Sequence, residues 1–301
     1  SLGEAKLPIS DIFITHNCNN ESMTEEGEEK MILDKNDLTI LPTLARDCRT
    51  SYSIIGSQIG LSSKSVKARV KKMVDNGVIE KFVVRVNPAA FGYRTALVLV
   101  KTNHGITKDD VIQRVKEYGD LAYHVHHMGS TSVAALIIKK PLGDNIIQSL
   151  NERLKPATVI NIAVTELSVA ASNDLSETDL RIIKCVLLSG ARVEISDIAK
   201  EVGISEKTTT RRLKRMKESR LLHFSLQCSP AAMIGYIQFV IPISVARSHY
   251  LEVLERMYSE FQTNILYSPS VIEPEGLLAF VLFGANVFVV DNVLARVNSI
   301  A

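Results

Sequence analysis

The sequence predicts an α+β chain that repeats one plan twice: a helix-turn-helix with a strand wing, then a β-α-β-β-α-β sandwich. Two observations carry that expectation. Residues 60–79, GLSSKSVKARVKKMVDNGVI, return in variant form at 203–222, GISEKTTTRRLKRMKESRLL. After the first copy the chain alternates apolar strands with amphipathic helices, and the second copy leads into the same kind of alternation.

The first unit opens with a helix in residues 31–50, whose apolar face is Leu33, Leu38, Ile40, Leu41 and Leu44. Pro42 lies inside that pattern and should bend or shorten the helix, because proline has no amide hydrogen to donate. A short helix over 53–59 follows, with Gly56 placed for close packing. The counterparts are 179–188 and 196–202, with Ala199 in the Gly56 position.

Next comes the cationic helix. Ser62 and Ser205 stand at the N-cap position, where a hydroxyl oxygen accepts from the orphan amides of the first turn. Val66, Val70 and Met73 form one apolar stripe at i, i+4, i+7 spacing, and Thr209, Leu213 and Met216 repeat it. The copies match at Gly60, Ser62, Lys64, Arg69, Lys71 and Met73, each offset by 143 residues. A period that long marks duplication of a whole domain pair. Asn76-Gly77 suits a left-handed helix end; Arg220 replaces that glycine in the second copy, so Ser219 or Arg220 must take a strained conformation or the helix must end otherwise.

Charge separates these helices from an ordinary solvated face. Residues 62–76 carry five Lys/Arg and one Asp, hence +4, and residues 205–220 carry seven Lys/Arg and two Glu, hence +5. The whole chain is only +2, which leaves −7 for everything else. Surface helices ordinarily mix signs, so cations concentrated here point to phosphate. The expected DNA-binding residues are Ser62, Ser63, Lys64, Ser65, Lys67, Ala68, Arg69, Lys71 and Lys72, then Ser205, Lys207, Thr208, Thr210, Arg211, Arg212, Lys214 and Arg215. Ser63, Lys64, Ser65, Ala68, Glu206, Lys207, Thr208 and Arg211 are the expected base readers.

A strand over 78–86 reads as the wing, and Asn87-Pro88 breaks it. Strands are expected at 94–101, 121–128, 132–139 and 159–167, with helices at 107–118 and 144–154. That order is a ferredoxin-like sandwich, two helices covering one sheet face. The second sandwich reads as strand 236–243, helix 248–258, strands 264–267 and 277–283, and helix 286–298, with its final strand missing. Residues 9–15 are strand-like and are a candidate to fill that open edge. The expected domains are an N-terminal tail, 1–30; a first winged helix-turn-helix, 31–86; a first sandwich, 87–170; a second winged helix-turn-helix, 171–228; and a second sandwich, 229–301. Ser1-Leu2 reads as a cloning remnant, with Met23 or Met31 as alternative natural starts.

No apolar run approaches the ~18 residues of a membrane span, and no signal peptide is visible. Cys18, Cys48, Cys185 and Cys228 are far apart in sequence and form no C-x-x-C, which fits a reducing cytoplasm and no zinc ribbon. P-loop, G-x-G-x-x-G and H-E-x-x-H motifs are absent, so neither an enzyme nor a cofactor is expected. His124, His126 and His127 cluster on one strand, His124 and His126 on the same face. The expectation is polar packing between sandwiches and no metal, since no cysteine or carboxylate nearby in sequence completes a ligand set.

LSSKSVKARVKKMVDNGVI, followed by the sandwich pattern, resembles the Lrp/AsnC (feast/famine) transcription regulators over residues 31–301, as two fused units with so-called RAM sandwiches. The resemblance implies that 62–72 and 205–215 enter the major groove of double-stranded DNA. It implies a homo-oligomer or an intramolecular pseudo-dimer, and a small-molecule effector held near a Gly-x-x-Asp turn. The matching stretch is Gly129-Ser130-Thr131-Ser132, where Ser132 replaces the carboxylate, so an amino-acid effector is in doubt; Gly129, Ser130, Thr131, Ser132, His124 and His126 are the candidate effector residues. Siroheme decarboxylases share this fold and use His and Arg around a tetrapyrrole. This chain has no Trp and no Tyr-Asn-Leu/Met-Trp stretch, so that reading stands as the alternative, beside a protein-interaction scaffold.

Overall fold

A computed structural model describes residues 31–127, 129–139, 145–165, 175–272 and 276–297. The tail, with the strand-like 9–15, and residues 166–174 at the junction of the first sandwich and the second winged helix-turn-helix lie outside the described residues.

The first helix-turn-helix consists of α1 (Asp37–Arg46), α2 (Tyr52–Ile59) and α3 (Ser63–Asp75). Pro42 sits inside α1 and the helix stays short, as its missing donor requires. A Cβ on Gly56 would meet the Leu61 carbonyl oxygen at 2.3 Å, so the turn into α3 closes only over glycine. Strand β1 (Ile79–Val86) is the wing. The first sandwich runs β2 (Arg94–Lys101), α4 (Lys108–Val115), β3 (Asp120–His126), β4 (Thr131–Ile138), α5 (Ile146–Leu154) and β5 (Thr158–Thr165). Its antiparallel sheet has the order β3-β4-β2-β5. Val111, Ile112 and Val115 of α4 and Leu150 and Leu154 of α5 pack on Ala96, Val98, Ala134 and Leu136, which makes it the expected ferredoxin-like sandwich.

The second unit repeats the order with α6 (Glu177–Ser189), α7 (Ile195–Val202), α8 (Glu206–Glu218), β6 (Leu222–Cys228), β7 (Ile237–Ser244), α9 (Tyr250–Phe261), β8 (Ser270–Ile272), β9 (Leu277–Gly284) and α10 (Val287–Val297). Its sheet, among the described residues, is β7-β9-β8. The expected strand at 264–267 is corrected: only Ile265 bridges, to Leu282, and the strand proper is β8, within the stretch read as loop. Pro269 cannot donate to a ladder, so regular pairing starts after it.

The two wings pair with each other. β1 and β6 form an antiparallel ribbon across the units, with Phe82 opposite Leu226, Val83 opposite Ser225 and Val84 opposite Phe224. The 143-residue offset maps Phe82 onto Ser225 and Val83 onto Leu226, so it exchanges the first two pairs; it likewise exchanges Val84–Phe224 with Lys81–Gln227. The ladder therefore carries its own two-fold axis between Phe82 and Val83, the signature of a self-complementary contact. The bulge at Ile79/Lys81 breaks that symmetry at one end.

Cores cross over with the ribbon. Leu226, Cys228, Met233, Leu266 and Phe283 of the second unit complete the α1–α3 core. Val84, Val86 and Ile137 of the first unit complete the α6–α8 core. Each three-helix core therefore contains residues from both halves of the chain. No helix among the described residues is long and apolar enough to cross a membrane.

Candidate nucleic-acid interface

Both cationic helices form where expected and are built alike. The Ser62 hydroxyl accepts from the Ser65 amide at 3.1 Å and meets the Ser65 hydroxyl at 2.9 Å. Ser205 does the same with Thr208, at 3.2 and 3.0 Å. Val66, Val70 and Met73 are buried, as are Thr209, Leu213 and Met216, so the stripe faces inward and fixes which residues face out. Ser62, Ser63, Lys64, Ser65, Lys67, Ala68, Lys71 and Lys72 are exposed. So are Ser205, Glu206, Lys207, Thr210, Arg211, Lys214 and Arg215, with Thr208 half-buried. The hydroxyls of Ser65 and Thr208 are thus already engaged at the caps, whereas Ser63, Lys64, Ala68, Lys207 and Arg211 present free edges.

The central arginines do something else. Arg69 reaches back to Asp34 at 2.7 Å and Asp37 at 2.9 Å, and Asp37 is almost fully buried. Arg212 donates to Asp179 at 2.8 Å and to the Ser176 hydroxyl at 3.0 Å; Arg215 closes on the other Asp179 oxygen at 2.7 Å. The structure thereby corrects the expectation that Arg69 and Arg212 lie on the phosphate-facing surface. They are spent on tying each cationic helix to the start of its unit, because a carboxylate buried beside that helix requires a counter-charge. Arg215 is turned partly to the same task. Lys71 pairs with Asp75 at 2.6 Å and Lys214 with Glu218 at 3.8 Å, one turn along each helix. Among the described residues Lys64, Lys67, Lys72, Lys207 and Arg211, all exposed, have no ion-pair partner.

These pairs shift the groups involved. Burial alone would raise the Asp179 carboxyl; hydrogen bonds from Ser176 and Arg212, with Arg215 alongside, outweigh it and hold the group below its ordinary 3.8. Burial opposes and the Asp37 amide and Arg69 prevail in the same way at Asp34. Arg69 is raised by the hydrogen bonds it gives Asp34 and Asp37. Asp34, Asp37 and Asp179 were not foreseen as part of the site. Both units had a readable signal at helix starts: the Ser176-x-x-Asp179 capping box, and the Asp34-x-x-Asp37 spacing, whose side chains accept from each other's amides at 3.0 and 3.2 Å.

The helix end at Arg220 is strained as expected. Arg220 takes φ 58°, while Gly77 takes φ 70° at the same point of the first unit.

The candidate effector turn is Gly129 to Ser132, with Gly129 at φ 85°. Ser132 is fully buried and its hydroxyl meets His126 Nδ1 at 2.9 Å, so it turns inward and offers no charge to a ligand. Ser130 is exposed and Thr131 half-buried. His124 and His126 stand opposite Ala134 and Ser132, on the face covered by α4. The expected packing between sandwiches is therefore corrected: these histidines face the helix layer.

A family model described as winged helix-turn-helix DNA-binding matches residues 33–80 and 175–222. The chain is 30% identical over 87 residues to the HTH-type transcriptional regulator LrpA of Pyrococcus horikoshii, a match covering 29% of this chain and 62% of that protein. It is 25% identical over 130 residues to the HTH-type transcriptional regulator Ptr1 of Methanocaldococcus jannaschii, covering 43% of this chain and 87% of the relative. Similar solved structures include the siroheme decarboxylase NirDL, at 17% identity and TM-score 0.45 over 88% of this chain and 87% of that one. The leucine response regulatory protein LrpA of Mycobacterium tuberculosis aligns at 21% identity and TM-score 0.33, over 48% of this chain and 99% of its own. The matched segments are α1–α3 and α6–α8 with the first residues of each wing, so the chain is a double winged helix-turn-helix protein. Each repeated unit is similar to the Lrp-type regulators among these relatives, and the chain is a tandem of two such Lrp-like units.

Proposed function

We infer that the chain is a sequence-specific regulator of transcription that grips double-stranded DNA with α3 and α8 as an intramolecular pseudo-dimer. The observation that carries this reading is the pairing of β1 with β6, which joins the two winged units about a two-fold axis within one chain. Duplex DNA has two-fold symmetry of its own, so helices related in this way suit adjacent half-sites, ~34 Å apart. The free cations Lys64, Lys67, Lys72, Lys207 and Arg211 supply affinity, and Ser63, Lys64, Ala68, Lys207 and Arg211 supply base readout. The named relatives are transcriptional regulators, which supports a regulatory and non-enzymatic role.

Because α3 and α8 differ at the reading positions, the operator is an imperfect palindrome. Selection of bound oligonucleotides from a random duplex pool, with and without added amino acids and other small metabolites, tests this. Enrichment of two related but unequal half-sites supports it. A pool that never enriches would leave the chain an interaction scaffold, and a perfect palindrome favoured equally would mean that the two helices read alike. A ligand that changes the enriched sequence or its yield would identify the effector, with Ser130 and Thr131 beside the turn as first residues to vary.

A further inference from the structure

Asp109 stands in the first turn of α4, where the Thr107–Asp110 capping box fixes the backbone. It is fifteen residues from His124 in sequence, yet the fold brings it against the histidine pair. Its carboxylate lies 3.1 Å from His126 Nε2. One donor atom from each of Asp109, His124 and His126 lies within 4.8 Å of the others, the one such trio of His, Cys, Asp or Glu among the described residues. Ligand atoms around a tetrahedral ion at ~2.1 Å are ~3.4 Å apart. The trio must therefore contract by about 1.4 Å at most, which rotation of the exposed Asp109 side chain and small ring movements supply.

We propose that Asp109, His124 and His126 bind one late first-row transition-metal ion of the zinc type per chain. Two imidazoles and one carboxylate select such an ion over magnesium or calcium, which favour all-oxygen sites. Ser132 performs the supporting role. Its hydroxyl holds His126 Nδ1 and thereby aims Nε2 at the site, the usual second-sphere arrangement for a ligating histidine. His124 is a buried donor on the sheet, whereas 84% of the Asp109 side chain is exposed, so the ion enters past the carboxylate and keeps a water on that side. The neighbouring Lys108 ammonium is held on the His127 carbonyl at 2.7 Å. At the corresponding stretch the second sandwich has Tyr267, Ser268 and Pro269, so the stoichiometry is one.

The test is titration of the untagged, chelator-treated chain with zinc chloride by calorimetry and with cobalt(II) chloride by visible absorption. The expected result is saturation at one ion per chain, with zinc displacing cobalt. Asp109→Asn, a change at an exposed side chain, is expected to weaken binding at least tenfold with an unchanged circular dichroism spectrum. His126→Ala is expected to abolish it; should that variant not fold, Asp109→Asn alone decides. Absence of binding by the folded wild-type chain overturns the site, and so does binding left unchanged in Asp109→Asn.

Discussion

Arg49 and Arg192, separated by the 143-residue repeat, make one contact in opposite directions. Arg49 donates to the Ala191 carbonyl at 2.9 Å, and Arg192 donates to the carbonyl of Cys48, the residue equivalent to Ala191. Arg49 also lies over the Phe224 ring at 5.3 Å, and Arg192 over Tyr52 at 4.5 Å and Phe82 at 5.4 Å. Together they clasp the two winged units beside the β1–β6 ribbon. A charged donor to a carbonyl plus a cation–π contact contributes roughly 1–3 kcal/mol. Arg49→Ala and Arg192→Ala should each lower stability by about that much in denaturant unfolding. Both hold one interface, so the double variant should cost less than the two separate losses together. Strict additivity would mean that the contacts are independent.

Arg69 and Lys67 lie two residues apart on α3 and should behave oppositely. Arg69→Ala strips the counter-charge from the buried Asp37 and should cost about 3 kcal/mol of stability. Among folded molecules it should leave the salt dependence of DNA binding nearly intact. Lys67→Ala with Lys72→Ala should be close to neutral for folding and should flatten the slope of log K against log salt by about 2. Filter binding at several salt concentrations beside a urea titration distinguishes the two. A slope that falls with Arg69→Ala alone would return that arginine to the DNA face.

Arg220 is the one non-glycine residue with positive φ among the described residues. It closes the end of α8, where the Leu221 amide reaches the Met216 carbonyl at 2.9 Å. A side chain in the left-handed region costs ~1–2 kcal/mol, offset in part by the greater freedom glycine has when unfolded. Arg220→Gly should therefore stabilise the chain by about 0.5–1 kcal/mol. A thermal midpoint that falls instead would show that the Arg220 side chain has a compensating role.

The elements were readable because each carries a local signal. Ser62 and Ser205 mark helix starts, the i, i+4, i+7 stripes mark inward faces, and the β-α-β-β-α-β order follows from alternating apolar runs. Partnerships across long separations were not. Val84 reads the same whether its strand pairs within its own unit or, as here, with Phe224 of the other. Arg69 looks like its lysine neighbours in any window, and only the folded position of Asp34 and Asp37 turns it inward. Asp109 is distant from His126 in sequence, so the carboxylate missing from the histidine strand became visible only when α4 packed on the sheet.

His223 sets a pH limit on the ribbon. It sits on β6 opposite Arg85, and burial, reinforced by the Arg85 charge, lowers its pKa from 6.5 to about 4, with Lys217 adding to the effect and Asp47 opposing it. Above pH 6.5 the ring is neutral in both states and its contribution is complete. As pH falls from 6.5 towards 4 the unfolded chain takes up a proton that the folded ribbon refuses, so stability declines by on the order of 3 kcal/mol. Below about 4 both states are protonated and this loss levels off. The paired carboxylates Asp34 and Asp179, lowered from 3.8, add their own loss as pH falls through and below about 3.8, so a second decline follows on the first. Urea midpoints measured between pH 7.5 and 3 should show both. His223→Leu should remove most of the loss between 6.5 and 4, the remainder falling to His127, which burial and then Lys108 and His126 also lower. A His223→Leu profile as steep as that of the wild type in this window would mean that the ribbon tolerates a charged imidazole.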